Sequence, residues 1–334
     1  DGTPARHDLS LDLDSDIATA DLALNGSLNK TTYRERFTLN RLTAGYGELA
    51  PWSLTGQATG AVSAGSQSIN DACLTSGDAR LCITGSHDAN TSIAKIDLSD
   101  FNYDYAKPYF PDNLAVTGAI SGTVDARIPT GGSPTVQADL STTAGNVTVT
   151  TPAGETVEAL VMQPGSIVAT MADNGLEARV DLPFAGDDGL QARVSVAEGP
   201  APLTEHSLDG SLRLNKSLGV LADLSPEVDR FEGSLSADLS FSGTVAQPNV
   251  LGNASLRASK IVLVTPGLTL TDVLLAANGR GDSIGIEARA TSGGGTLSAD
   301  GQILLGESGQ TVELAITGDR FQVANIPDAT AYVS

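Results

Sequence analysis

The chain has 334 residues, 40% of them hydrophobic but only 4% aromatic, and a formal net charge of −21. That charge argues against a nucleic-acid partner and against docking on an anionic membrane through a basic patch, because both need clustered Lys and Arg. The apolar stock is Leu, Val, Ile and Ala with one tryptophan, Trp52, and no apolar run approaches the ~20 residues of a membrane-spanning helix.

In chain order, Leu9, Leu11 and Leu13 alternate with Asp8, Ser10, Asp12 and Asp14. This period of two marks a strand with one apolar and one solvated face. Cys73 and Cys82 flank a turn signal, Thr75-Ser76-Gly77-Asp78. The two thiols are either joined across a hairpin, which implies an oxidising compartment, or are unrelated buried cysteines. Their spacing does not suit zinc, and His7, His87 and His206 are too scattered to complete a site, so no metal is expected.

Asp100 to Pro111 holds five of the fourteen aromatic residues and reads as a plug on the sheet or a constriction in a groove. Alternation then resumes through Leu114, Val116, Ile120, Val124 and Ile128, and again through Leu176, Ala178, Val180, Leu182 and Phe184. Ser217 to Leu224 suits a turn or two of helix. Beyond it, Leu235 and Leu239 lie in a long alternating run from Phe231 to Val245, and Val312, Leu314 and Ile316 in a later one. With Val250, Leu256, Leu270, Ile284, Ile286 and Leu297, these residues are the candidate lining of one apolar face. Glycines on that face (Gly118, Gly122, Gly233, Gly243, Gly301) predict bent strands, or pairs of strands meeting at a corner.

Motifs also recur about 115 residues apart: Pro111 to Gly118 matches Pro226 to Gly233, and Pro134-Thr-Val136 matches Pro248-Asn-Val250. No linker composition separates the copies, so residues 1–334 read as one continuous β segment with internal repeats at 111–225 and 226–334. The fold class expected is all-β.

No His-Glu-x-x-His, phosphate loop or dinucleotide fingerprint is present in the sequence. The carboxylates alternate with apolar residues and so point outward. A non-enzyme without a cofactor is the expectation.

Several stretches carry a resemblance. Gly233-Ser-Leu-Ser-Ala-Asp-Leu-Ser-Phe-Ser-Gly-Thr-Val-Ala-Gln-Pro-Asn-Val250 resembles the periplasmic region of the TamB family, AsmA-like proteins. So do Thr265-Pro-Gly-Leu-Thr-Leu-Thr-Asp-Val273, Arg289 to Leu297 and Gly318 to Pro327, and upstream Pro51-Trp-Ser-Leu54 with the paired cysteines. The resemblance implies a β-taco, a long U-shaped sheet around a hydrophobic groove. It implies a periplasmic location, an inner-membrane anchor through an N-terminal helix that this stretch lacks, and contact with TamA, a BamA-type outer-membrane barrel, through a C-terminal domain also lacking. Its implied cargo is phospholipid. Besides a lipid conduit, two readings stay open: a scaffold that assembles outer-membrane and autotransporter proteins by β-addition, and an adhesin-like structural stalk.

Overall fold

In the computed structural model, residues 2–47, 49–151, 154–186, 188–199, 202–219, 222, 225, 227–306, 309–326 and 329–333 are described, save the side chains at 305, 306, 309, 310 and 329. The described chain is all-β, as the alternation predicts, and is consistent with the β-taco class. Its longer non-strand elements are 3₁₀ turns, Tyr103–Tyr109 and Leu203–Glu205. The expected helix at Ser217 to Leu224 lies largely outside the described residues.

The chain divides into two units. The first comprises Asp1–Tyr109, Thr117–Thr143 and Ser166–Asp173; the second comprises Phe110–Val116, Ala144–Gly165 and Asn174–Ser334.

The first unit is an antiparallel meander running Arg6–Asp14, Ala18–Asn29, Arg34–Tyr46, Ala58–Ser63, Ser66–Ser76, Ala79–Asp88, Thr91–Asn102, Ala119–Pro129 and Thr135–Thr142. Trp52–Leu54 lies in line with Ala58–Ser63, both pairing with the strands on either side. Local chemistry sets the hairpins. Gly77 takes a positive φ of 59° at the turn between the cysteine strands. The Asp88 carboxylate accepts the N–H groups of Asn90 and Thr91, which hold it below the usual carboxylate range.

In the second unit a further meander runs Gly175–Pro183, Gly189–Ala197, Leu208–Ser217, Val228–Gly243, Pro248–Leu263, Leu268–Gly281, Ser283–Ser292, Gly295–Gly306 and Gly309–Asp319. Two-residue turns suit it: Gly293 and Gly294 have φ of 58° and 82°, the paired positive values of a tight hairpin. A separate three-stranded sheet joins Leu114–Val116, Gly145–Thr150 and Thr156–Met162, and Phe321–Ile326 pairs with Ala329–Val333.

Both kinds of bend expected from the glycines occur: register shifts in both proposed repeats, and parted strands in 111–225. In 226–334 the strands Val228–Gly243, Pro248–Leu263 and Leu268–Gly281 are unbroken but carry register shifts, at Glu232/Gly233 and Thr271/Leu274 among others. In 111–225 the matching stretches are parted: Leu114–Val116 from Ala119–Pro129, Thr135–Thr142 from Gly145–Thr150, and Thr156–Met162 from Gly165–Ala172. The unit boundary follows these gaps. Gly118, at φ 112°, stands where the first strand parts, and Thr143 closes the second by exchanging hydrogen bonds with Ala119. Glycine is not the sole bending residue. Asp71, Asp100 and Asp272 sit at register shifts with φ near 50°, whereas Gly301 lies in an unshifted ladder.

Candidate functional site

Residues directly opposite in an antiparallel pair share a face, so the register decides which candidates stand together. In the second unit one row runs Ala192, Leu212, Leu239, Gly252, Gly279, Ile284, Ile303, Val312. The next runs Leu214, Ala237, Ala254, Ala277, Ile286, Gly301, Leu314, and a third links Leu235, Leu256, Leu275, Ala288, Ala299 and Ile316. Leu176 and Val180, through Val196 and Ala192, belong to the same face, as do Val250 opposite Phe241, Leu297 opposite Ala290, and Leu270 opposite Ile261. In the first unit Ile120 and Val124 share a face with Phe101, Ile96 and Ile83. Leu114 and Val116 stand apart, on the three-stranded sheet opposite Val149 and Val147. The run from Leu114 to Ile128 is thus two strands with different partners.

These faces are not sealed. Leu235, Leu239, Val250, Leu256, Ile284 and Ile286 are each only half-buried, and Leu314 and Ile316 are 52% and 63% exposed. The buried apolar set among the described residues is small and mostly alanine; its one cluster is Leu39, Ala58 and Ala72, with Leu22, Leu24, Leu42, Leu54 and Ile69 packed around it. On the first unit's apolar face a cavity of ≈ 610 Å³ is lined by Leu9, Leu24 and Phe37 together with His7 and Glu35.

Three features interrupt the apolar faces. Trp52, Phe101 and Tyr105 stack with ring centroids 4.7–5.9 Å apart, and the Tyr105 hydroxyl donates to the Ser76 carbonyl at 3.1 Å. The aromatic segment therefore packs on the sheet, as the plug reading expects; burial there pushes the Tyr103 phenol up. The other two interruptions are pairs of polar side chains. His7 and Glu35 meet at 3.0 Å over Gly26, where any Cβ would strike both side chains. Lys216, opposite Leu235, reaches Asp188 at 3.1 Å. Neither pair was expected, although both were visible in parity: His7 precedes Leu9, Leu11 and Leu13 by even steps, Glu35 precedes Phe37 and Leu39, and Lys216 follows Leu208, Leu212 and Leu214.

The opposite face is polar, with Arg213 paired to Asp238 at 3.5 Å and Ser236 bonded to Ser255. In the first unit the Cys73 and Cys82 sulfurs lie at disulfide distance, on the face opposite to that of Leu74 and Leu81. Among the described residues no group of three metal-ligating side chains occurs, and no helix is long and apolar enough to cross a membrane.

No solved structure matches the chain significantly. A family model described as TamB, N-terminal domain, matches residues 1–256, more than half the chain. On that match, the chain belongs to the TamB family.

Proposed function

We propose that this chain holds the acyl chains of phospholipid on its aliphatic faces and conducts lipid between the inner and outer membranes. TamB-family proteins are transport or assembly components of the envelope. The observation that favours lipid is the half-buried state of the inward rows. In a structural stalk of closed sandwiches, Leu239, Leu256 and Ile286 would be buried core residues; here each keeps part of its surface exposed. Thin aliphatic side chains offer no specific contact, which suits a cargo that slides rather than locks. In this reading the chain works in the periplasm, with an inner-membrane anchor and the TamA barrel as its expected neighbours.

A second reading has its own observation. Arg6–Asp14 is paired on one side by Ala18–Asn29, but on the other only at Arg6 and His7 among the described residues. From Leu9 to Asp14 that second edge carries no strand pairing among the described residues, which would suit β-addition by an unfolded barrel strand. Native mass spectrometry of the chain purified from a Gram-negative periplasm without detergent discriminates the two. Ligands of phospholipid mass are expected. Ligand-free protein that captures extended peptides would support assembly instead.

A further inference from the structure

We propose that the chain carries a phosphoryl-binding site on the polar face of its first unit, opposite the apolar one and independent of it. A cavity of ≈ 480 Å³ there is lined by Arg6, Arg34 and Arg36, with Ser27, Thr59 and Asn70 among its polar side chains and no carboxylate in its lining.

The register builds the cavity. Ser27, Arg36, Ala61 and Ser68 are successive partners across four strands, and Thr59 pairs with Asn70 one rung away. Arg36 therefore rises beside two short side chains, and Ala61 forms a floor that is only 8% exposed. Arg6 comes from the neighbouring strand Arg6–Asp14, and Arg34 from two positions before Arg36.

The charge pattern argues for a ligand. Carboxylates outnumber Lys and Arg by 40 to 19 in the chain, so three arginines in one cavity without an acid run against the composition. On the polar faces Arg41 meets Asp21 at 2.7 Å and Arg213 meets Asp238, whereas Arg127, Arg179 and Arg257, like the cavity arginines, form no ion pair among the described residues. Arg6, Arg34 and Arg36 form no ion pair among the described residues. Asp8 and Asp21 share this face but lie outside the lining. Three guanidinium groups held together repel one another, and an anion in their midst relieves that repulsion. A phosphoryl group fits better than a carboxylate: it offers three oxygens to three planar donor forks, and hydroxyl and amide side chains complete the set. The volume leaves room for a glycerol- or sugar-sized remainder.

The phosphoryl group is borne either by a soluble phosphomonoester or by a lipid headgroup in a membrane, and two probes separate these sources. Glycerol 3-phosphate is titrated calorimetrically into the whole chain at low ionic strength. Flotation uses phosphatidylcholine vesicles with and without phosphatidic acid. Saturable binding is expected, weakened about tenfold by Arg36→Gln and by Arg34→Gln, on the scale of one charge-assisted contact. Arg41→Gln, outside the lining, should change it by less than about twofold. Unchanged circular dichroism and melting establish that each variant folds. Binding of glycerol 3-phosphate alone identifies a soluble ligand; flotation that needs phosphatidic acid and is lost in Arg36→Gln identifies a headgroup. Binding of neither probe overturns the proposal, and so does equal weakening by Arg36→Gln and Arg41→Gln, which would mean diffuse electrostatics.

Discussion

Leu239→Arg is expected to leave the chain folded while removing most of its bound lipid. Leu239 stands in the middle of an apolar row, between Leu212 and Gly252, and is half-buried. Gly252 contributes no side chain, so a guanidinium at 239 has an open path to water and can lay its stem along the aliphatic row. The stability cost should stay below about 2 kcal/mol, against the 3–5 kcal/mol of an unpaired charge in a sealed core. A fixed charge in the track nevertheless makes passage of an acyl chain costly, because the chain must either strip its water or go around it. Denaturant unfolding and quantification of co-purified phospholipid read the two effects separately. Unfolded protein would mean that the row is a closed core, and folded protein with undiminished lipid would mean that the row is not the track.

The second large effect is structural. Gly122→Val should destabilise the first unit by about 3 kcal/mol or more, through strained backbone and overlap together. Gly122 has φ +151° at a register shift, and a Cβ there would lie 2.0 Å from the Asp139 carbonyl oxygen and 2.8 Å from the Leu140 Cα. Those atoms belong to the partner strand's backbone and cannot swing aside. Gly65→Ala is the control: no atom lies within 4 Å of its Cβ position, and its cost should be within about 0.5 kcal/mol. Comparable unfolding midpoints for the two variants would show that the bend at Gly122 is not a steric requirement.

The faces were legible in the sequence because alternation is local: a residue's parity along its own strand says which side it shares with its neighbours. Leu235, Leu239, Leu256 and Ile286 could be assigned together on that ground, before any pairing was known. Pairing itself leaves no such trace. The run from Leu114 through Ile128 keeps its rhythm across Thr117 and Gly118, yet its first residues pair with Gly145–Thr150 and its later ones with Thr91–Asn102. Bends were half visible. A glycine on the apolar side signals a shift, but aspartate also takes positive φ, and Asp71, Asp100 and Asp272 did so unannounced. The polar pairs were readable as breaks in parity, His7 and Lys216 falling where a leucine would continue the row. The arginine cavity was hidden by averaging. A net charge of −21 describes the whole surface and says nothing of three arginines that folding gathers from two strands.

The central claim is that the apolar face of the second unit's sheet, and not its polar face, holds the acyl chains of lipid. A photo-crosslinking residue placed singly at Leu239, Leu256 and Ile286, and at Asp238, Ser255 and Gln302 on the opposite face, tests it in living Gram-negative cells. Adducts of phospholipid mass at the first three positions and none at the last three are predicted. Adducts on both faces alike, or on neither, would contradict the account.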